Sequence, residues 1–137
     1  MNPDATQMLL HLTPRPDLGI LVGRWGFQPE PAALPAAYEA LTAEALATGC
    51  RFWLQDIRRR TLNDPQTTTW LLQTYFPDMA ARLGGRLCVA YLVGPVLHQH
   101  IISQPDFVSS AGYNNLAHTV AFFGDEGEAM HWLQAQQ

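Results

Sequence analysis

Apolar residues occur along this chain in short runs that alternate with stretches of helical spacing. Two apolar runs, 8–12 and 19–27, flank the segment 13–18, which contains two prolines. Short apolar runs interrupted by turn-forming residues are typical of neighbouring strands. We therefore expect the chain to open with two strands joined by a loop, as a hairpin.

The middle of the chain predicts helices around a buried strand. Helical spacing of apolar residues from Leu34 to Thr48 predicts an amphipathic helix that ends at Gly49. The apolar run 51–57 predicts a central strand. A further helix is expected to start at Asn63 or Asp64, with Pro65 in its first turn.

The second half continues the alternation of helix and strand. Because proline disturbs a helix interior, we expect a break at Phe76, then a short helix that stops at Gly84. Residues 86–93 predict a buried strand, and residues 119–123 predict another before a last helix that Asp125 opens. Between them, residues 96–116 lack clear periodicity, which is typical of a binding loop or a partly helical crossover.

This order of elements predicts an α/β fold. Strands separated by helices pair in parallel, so the sheet should be mixed, with an opening hairpin followed by mainly parallel strands and packed helices. A chain of 137 residues fits one domain, and we assign residues 1–137 to it.

Composition narrows the class of protein. Apolar residues make up 47% and charged residues 15%, which indicates a folded globular chain. The net charge of −4, with eight arginines and no lysine, argues against a broadly basic nucleic-acid binder, so we predict no nucleic-acid partner. Cys50 and Cys88 lack the spacing of a metal or redox motif. We expect neither a leader nor a membrane-spanning helix, since no run approaches the roughly 18 apolar residues that a helix needs to cross a bilayer. A cytoplasmic location is expected, without a membrane partner.

Concentrated charge follows the predicted central strand. Asp56 ends that strand, and Arg58, Arg59 and Arg60 come next, before a helix start. The arginines favour either a bound phosphate or carboxylate, or a solvated loop whose cations pair with nearby acids. Asp56 is a candidate general base, although a hydrogen-bonding role that orders the loop is favoured because no second catalytic group is near it in sequence.

Other candidate sites have weaker signals. His98 and His100 would face one side of a strand and suggest a metal ligand pair, but two histidines alone are more typical of a polar loop, so we predict no metal site. No motif for a hydrolase, a nucleotide or a cofactor is present, and we predict no cofactor. Phe107 and Tyr113 lie in the irregular segment, where they would cover an apolar pocket or join a dimer interface.

Several segments of the chain occur in an order and spacing that together resemble a known family: residues 23–25, 53–56, Trp70 with residues 76–77, and then 90–95 and 122–133. With these segments, over nearly its whole length, the chain resembles the SpoIIAA-like branch of the STAS domains (sulfate transporter and anti-sigma factor antagonist). The resemblance implies a small mixed sheet with helices that works through partner contacts, self-association or ligand binding. In the phosphorylated relatives a serine follows a central strand, but the segment 56–65 here contains no serine, so no phosphorylation site is predicted.

Three functions follow as hypotheses. The first is a non-enzymatic cytoplasmic interaction or regulatory domain, a homodimer or a partner of another protein, which uses residues 58–60 and 96–116 as its contact surface. The alternative is a carrier or sensor of a small apolar or anionic ligand, with Phe107 and Tyr113 over the pocket. The third is an enzyme centred on Asp56.

Overall fold

A five-stranded mixed sheet forms the centre of the molecule. The structure is a computed structural model that describes residues 3–61, 63–103 and 112–137. The strands follow one another across the sheet in chain order; β1 is antiparallel to β2, and the other neighbours are parallel. This confirms the predicted α/β class with an opening hairpin. The strands are β1 (Leu10–Arg15), β2 (Ile20–Trp25), β3 (Phe52–Asp56), β4 (Leu87–Leu92) and β5 (His118–Phe123).

Helices connect the strands and cover both faces of the sheet. A short 3₁₀ turn, Pro31–Ala33, precedes α2, and a π-helical segment, Leu71–Tyr75, joins α3 to α4. The α-helices of the described residues are α1 (Pro3–Leu9), α2 (Leu34–Thr48), α3 (Pro65–Trp70), α4 (Phe76–Leu83), α5 (Pro95–Ile102) and α6 (Glu126–Ala135).

Alternation along the strands divides the core into two layers. Side chains such as Leu21, Trp53 and Val89 pack against α1, α2, α4 and α5, on the side we call the first face. Their neighbours in sequence, such as Leu54 and Ala90, pack against α6 on the second face. Successive strand residues point to opposite faces, so a single apolar run supplies both layers.

The helix ends follow the predicted signals. Gly49 and Gly84 end α2 and α4 in the left-handed conformation, with φ of 69° and 79°, which residues with a Cβ rarely adopt. Asp64 and Asp125 cap α3 and α6 by accepting a hydrogen bond from the backbone N–H three residues later.

Four local expectations change. The run 8–12 is not one strand, because Met8 and Leu9 end helix α1. Strand β1 instead extends to Arg15 through Pro14, which an edge strand tolerates. The break expected at Phe76 takes the form of the π-helical segment that ends at Tyr75.

The fourth change concerns His98 and His100, which were expected on one side of a strand. The first part of the segment 96–116 is helix α5, as its partly helical alternative allows, so both histidines lie on a helix. Two residues apart on a helix, their imidazoles point in different directions.

Candidate functional site

Four charged side chains form a cluster at the carboxyl ends of β2 and β3, on the second face. Asp56 pairs in register with Arg24 of β2. Its carboxylate accepts hydrogen bonds from Arg58 Nε at 2.9 Å, Arg58 Nη2 at 2.8 Å and the Arg58 backbone N–H at 3.1 Å. Arg24 Nη1 donates to Asp56 Oδ2 at 2.9 Å and to Glu126 Oε1 at 2.7 Å. The cluster therefore ties two strands, the loop after β3 and the first turn of α6.

The cations keep both carboxylates of this cluster ionised. Burial acts to raise the pKa of Asp56, whose side chain is only 9% exposed, but hydrogen bonds from Arg58 and Arg24 outweigh it and lower that pKa. The hydrogen bond from Arg24 likewise lowers the pKa of Glu126. Both carboxylates and both guanidinium groups of the cluster therefore stay charged at neutral pH.

The lowered pKa values of Asp56 and Glu126 favour a structural role for these carboxylates over a role in proton transfer. Polar side chains do converge on Asp56, as an enzyme centred on this residue would need. A general base works best with a pKa near the operating pH, whereas these carboxyl groups are shifted in the opposite direction. The contacts match the role in which Asp56 orders the loop by accepting hydrogen bonds.

The three consecutive arginines point to different environments. Arg58 pairs with Asp56, and Arg59 is exposed beside an open cleft of about 560 Å³ next to the charge cluster. Arg60 lies on the first face, where its guanidinium carbon is 4.2 Å from the centre of the Trp25 ring. The structure therefore does not bring the three guanidinium groups together around one anion.

Arg60 is the buried member of this trio. Arg60 is only 8% exposed, and its Nη2 donates a hydrogen bond to Asn63 Oδ1 at 2.7 Å. Its Nε is buried without a hydrogen-bond partner, and Arg60 forms no ion pair with any carboxylate in the described part of the chain. A cation in this position has given up water without gaining an opposite charge.

A pocket of about 340 Å³ opens on the first face, near the carboxyl ends of the parallel strands. Helix α3 and the π-helical segment form one wall, and strands β4 and β5 form the floor. The lining is mainly apolar, with a few amide and hydroxyl groups. The lining residues are Ile57, Asn63, Pro65, Thr68, Thr69, Leu71, Leu72, Phe76, Tyr91, Tyr113, Val120 and Phe122.

Aromatic rings stiffen the floor of the pocket. Tyr91 stacks on Phe122 with ring centres 5.4 Å apart and an interplanar angle of 16°. Tyr113 meets the same Phe122 edge-on at 6.0 Å. Tyr113 is therefore a lining residue of the pocket. Phe107, its predicted companion, lies outside the described residues.

The described residues contain neither a candidate metal site nor a helix that could cross a membrane. Among residues 3–61, 63–103 and 112–137, no three side chains of His, Cys, Asp or Glu are grouped as a metal site would need. Within the same ranges, every helix is too short or too polar to cross a bilayer.

Sequence reasoning missed several residues that build these sites. Arg24 and Gln55 each interrupt an apolar strand, and a polar side chain within such a strand is the signal that identifies them. For Glu126 the sequence indicates only an acid near a helix start. Tyr91 lies within an apolar run, and nothing in the sequence distinguishes a residue on the floor of a pocket from a residue fully surrounded by protein.

Comparison with known proteins adds no family assignment. No protein-family model matches the chain, and a search of curated proteins finds no match. The resemblance to STAS domains therefore stays a prediction from sequence.

Proposed function

We propose that this chain is a non-enzymatic binding domain for a small, largely apolar molecule, acting as its carrier or sensor. The observation that carries this proposal is the 340 Å³ pocket beside the carboxyl ends of the parallel strands. Open α/β sheets place their ligands outside the carboxyl ends of the strands. A mainly apolar lining with a few polar groups is typical of small-molecule sites.

The size of the pocket limits the ligand. At about 30 Å³ for each water-sized group, the volume holds roughly ten non-hydrogen atoms. That is the size of a medium-chain alcohol or acid, or of a single substituted ring. The lining includes four residues with hydroxyl groups, Thr68, Thr69, Tyr91 and Tyr113, and one amide, that of Asn63.

Nuclear magnetic resonance with octan-1-ol tests the proposal. Titration into ¹⁵N-labelled protein should shift the amide signals of Ile57, Tyr91 and Val120 in a saturable way, because these residues line the pocket. The substitution Thr69→Phe places a ring at the pocket wall and should abolish those shifts. Thr69 is exposed, so the larger side chain does not have to enter the core.

Thr74→Phe is the matched control. Thr74 is also an exposed threonine of the same helical run, but it does not line the pocket. It should leave octanol binding unchanged. The proposal fails if octanol produces no saturable shifts in the wild-type protein, or if both substitutions weaken binding equally.

Self-association as a cytoplasmic, STAS-like interaction or regulatory domain is the second candidate. Two exposed apolar residues favour it: Val96 is 86% exposed and Leu116 is 98% exposed. Both lie in the segment 96–116 that the sequence indicates as a contact surface. Val96 follows the carboxyl end of β4, whereas Leu116 precedes the amino end of β5, so the two do not form one patch.

Light scattering over a range of protein concentrations tests this second candidate. A dimer that Leu116→Ser converts to a monomer would support it, because burial of an exposed leucine favours association. A wild-type monomer at every concentration would contradict it.

A further inference from the structure

Arg60 lacks a compensating negative charge although it is buried in the first face. Its guanidinium lies on the Trp25 ring, and Asn63 supplies a neutral oxygen. Tyr38 lies beside Arg60 and Asn63, but burial raises the pKa of this phenol, so it stays neutral. The surroundings of Arg60 thus contain aromatic and amide groups in place of a carboxylate.

Unused hydrogen-bond donors surround the same tryptophan. Trp25 Nε1 donates to Gln55 Oε1 at 2.9 Å, which leaves Gln55 Nε2 buried without a partner. Arg60 Nε is buried and unpartnered as well. Buried donors without acceptors are rare in folded proteins, so these two nitrogens indicate that the region around Trp25 lacks hydrogen-bond acceptors.

The pocket reaches this donor-rich region through two of its lining residues. Asn63 lines the pocket and accepts the hydrogen bond from Arg60 Nη2, so the cation polarises the Asn63 amide. Tyr91 also lines the pocket and pairs in register with Gln55 on β3. Asn63, which contacts Arg60, and Tyr91, whose phenol lies within range of the Arg60 charge, are polar lining residues on this side of the pocket, and we call them the polar end.

We propose that the ligand of this pocket is an amphipathic carboxylic acid, whose carboxylate lies at the polar end and whose apolar part lies against Leu72, Val120 and Phe122. This inference rests on the proposed function. Arg60 favours a negatively charged ligand over a neutral one. Its positive charge acts through the Asn63 amide and across the wall of the pocket. In a partly buried site, a unit charge several ångströms away changes affinity by roughly tenfold or more.

Three probes of equal chain length separate charge from apolar binding. Octanoate, octan-1-ol and octylamine should be titrated into the wild-type protein at pH 7 by nuclear magnetic resonance. Octanoate should bind about tenfold more tightly than octanol, and octylamine should bind more weakly than octanol. Equal affinities for octanoate and octanol would overturn the inference and leave the proposed function intact, whereas no binding by any probe would overturn both.

Two neighbouring arginines provide a matched pair of variants. Arg60→Met keeps an apolar stem over Trp25 but removes the charge, so the ratio of octanoate affinity to octanol affinity should fall from about ten to about one. Arg59→Met removes an exposed cation and should change neither affinity. If Arg59→Met reduces octanoate binding as much as Arg60→Met does, the effect is one of general surface charge and the assignment to Arg60 is wrong.

Asn63→Asp keeps the test decisive if Arg60→Met does not fold. This change places a carboxylate where Arg60 now meets an amide oxygen 2.7 Å away, so it supplies the missing negative charge from within the chain. The variant should stay folded, and its affinity for octanoate should fall to that for octanol or below it. An unchanged preference would contradict the role of Arg60.

Discussion

Asp56→Asn removes the central charge of the cluster that joins β2, β3 and α6. The carboxylate accepts four hydrogen bonds, three from guanidinium groups and one from a backbone N–H. The substitution keeps the shape of the side chain but replaces one acceptor oxygen with an N–H donor that faces arginines. The variant therefore tests how much the charge itself contributes to folding.

The expected loss is about 2 kcal/mol in the free energy of unfolding. Hydrogen bonds to charged groups each contribute about 1.5–3 kcal/mol, but the remaining partners regain water when the carboxylate is removed. The side chains of Arg24 and Arg58 are 41% and 50% exposed. Water can therefore replace much of the hydrogen bonding that these guanidinium groups lose with the carboxylate, which limits the loss of stability. Urea denaturation at pH 7, followed by tryptophan fluorescence, measures the change.

The pH dependence identifies the charge as the cause. Because the folded-state pKa of Asp56 is lowered, its contribution is fully present above the unfolded-state pKa of about 3.9 and is lost as pH falls through the lower folded-state pKa. The difference between wild type and Asp56→Asn should thus be constant from pH 5 to 7 and shrink below about pH 4.

Asp17→Asn is the matched control for this experiment. Asp17 also accepts two hydrogen bonds from an arginine, Arg15, but its side chain is 60% exposed. An exposed ion pair contributes little, so this variant should match the wild type within error. The reasoning is refuted if Asp56→Asn is no more destabilising than Asp17→Asn at pH 7.

Two further predictions concern close packing and protonation. A Cβ at Gly23 would lie 2.8 Å from Gln55 Nε2, so Gly23→Ala should reduce the free energy of unfolding by about 1–3 kcal/mol. Gly94→Ala is the control and should be tolerated, because its Cβ would lie 3.8 Å from the nearest atom. Thermal unfolding of the two variants measures the difference. Burial lowers the pKa of His118, so protonation opposes folding; wild-type stability should decline as pH falls below about 6.5, and His118→Gln should reduce that slope in urea denaturation between pH 7 and 5.

The sheet and the helix ends could be predicted because their signals are local. Apolar runs identified β3 and β4, and Gly49 and Gly84 ended their helices as expected. Residues 95–102 form α5 although no periodicity predicted it, because a short helix depends on tertiary packing, here through Leu97 and Ile101. The order of the strands in the sheet could not be predicted from the sequence either, because it depends on which helices cross which face.

The candidate site could be predicted only in part. The sequence placed Asp56 at a strand end and Tyr113 near an apolar pocket. It treated Arg58, Arg59 and Arg60 as one group, whereas the turn after β3 directs them to the second face, to solvent and to the first face. The environment that distinguishes Arg60 comes from Trp25 and Asn63, one on another strand and one in a loop, and their proximity is a tertiary effect.

The most direct test of the central claim is to locate bound octanoate by intermolecular nuclear Overhauser effects. Contacts from its methyl end to Leu72 and Val120, together with contacts from the methylene next to its carboxylate to Tyr91, would agree with a pocket whose polar end faces Arg60. Contacts confined to exposed residues such as Val96 and Leu116 would contradict it, because they would show that the alkyl chain binds the surface and not the pocket.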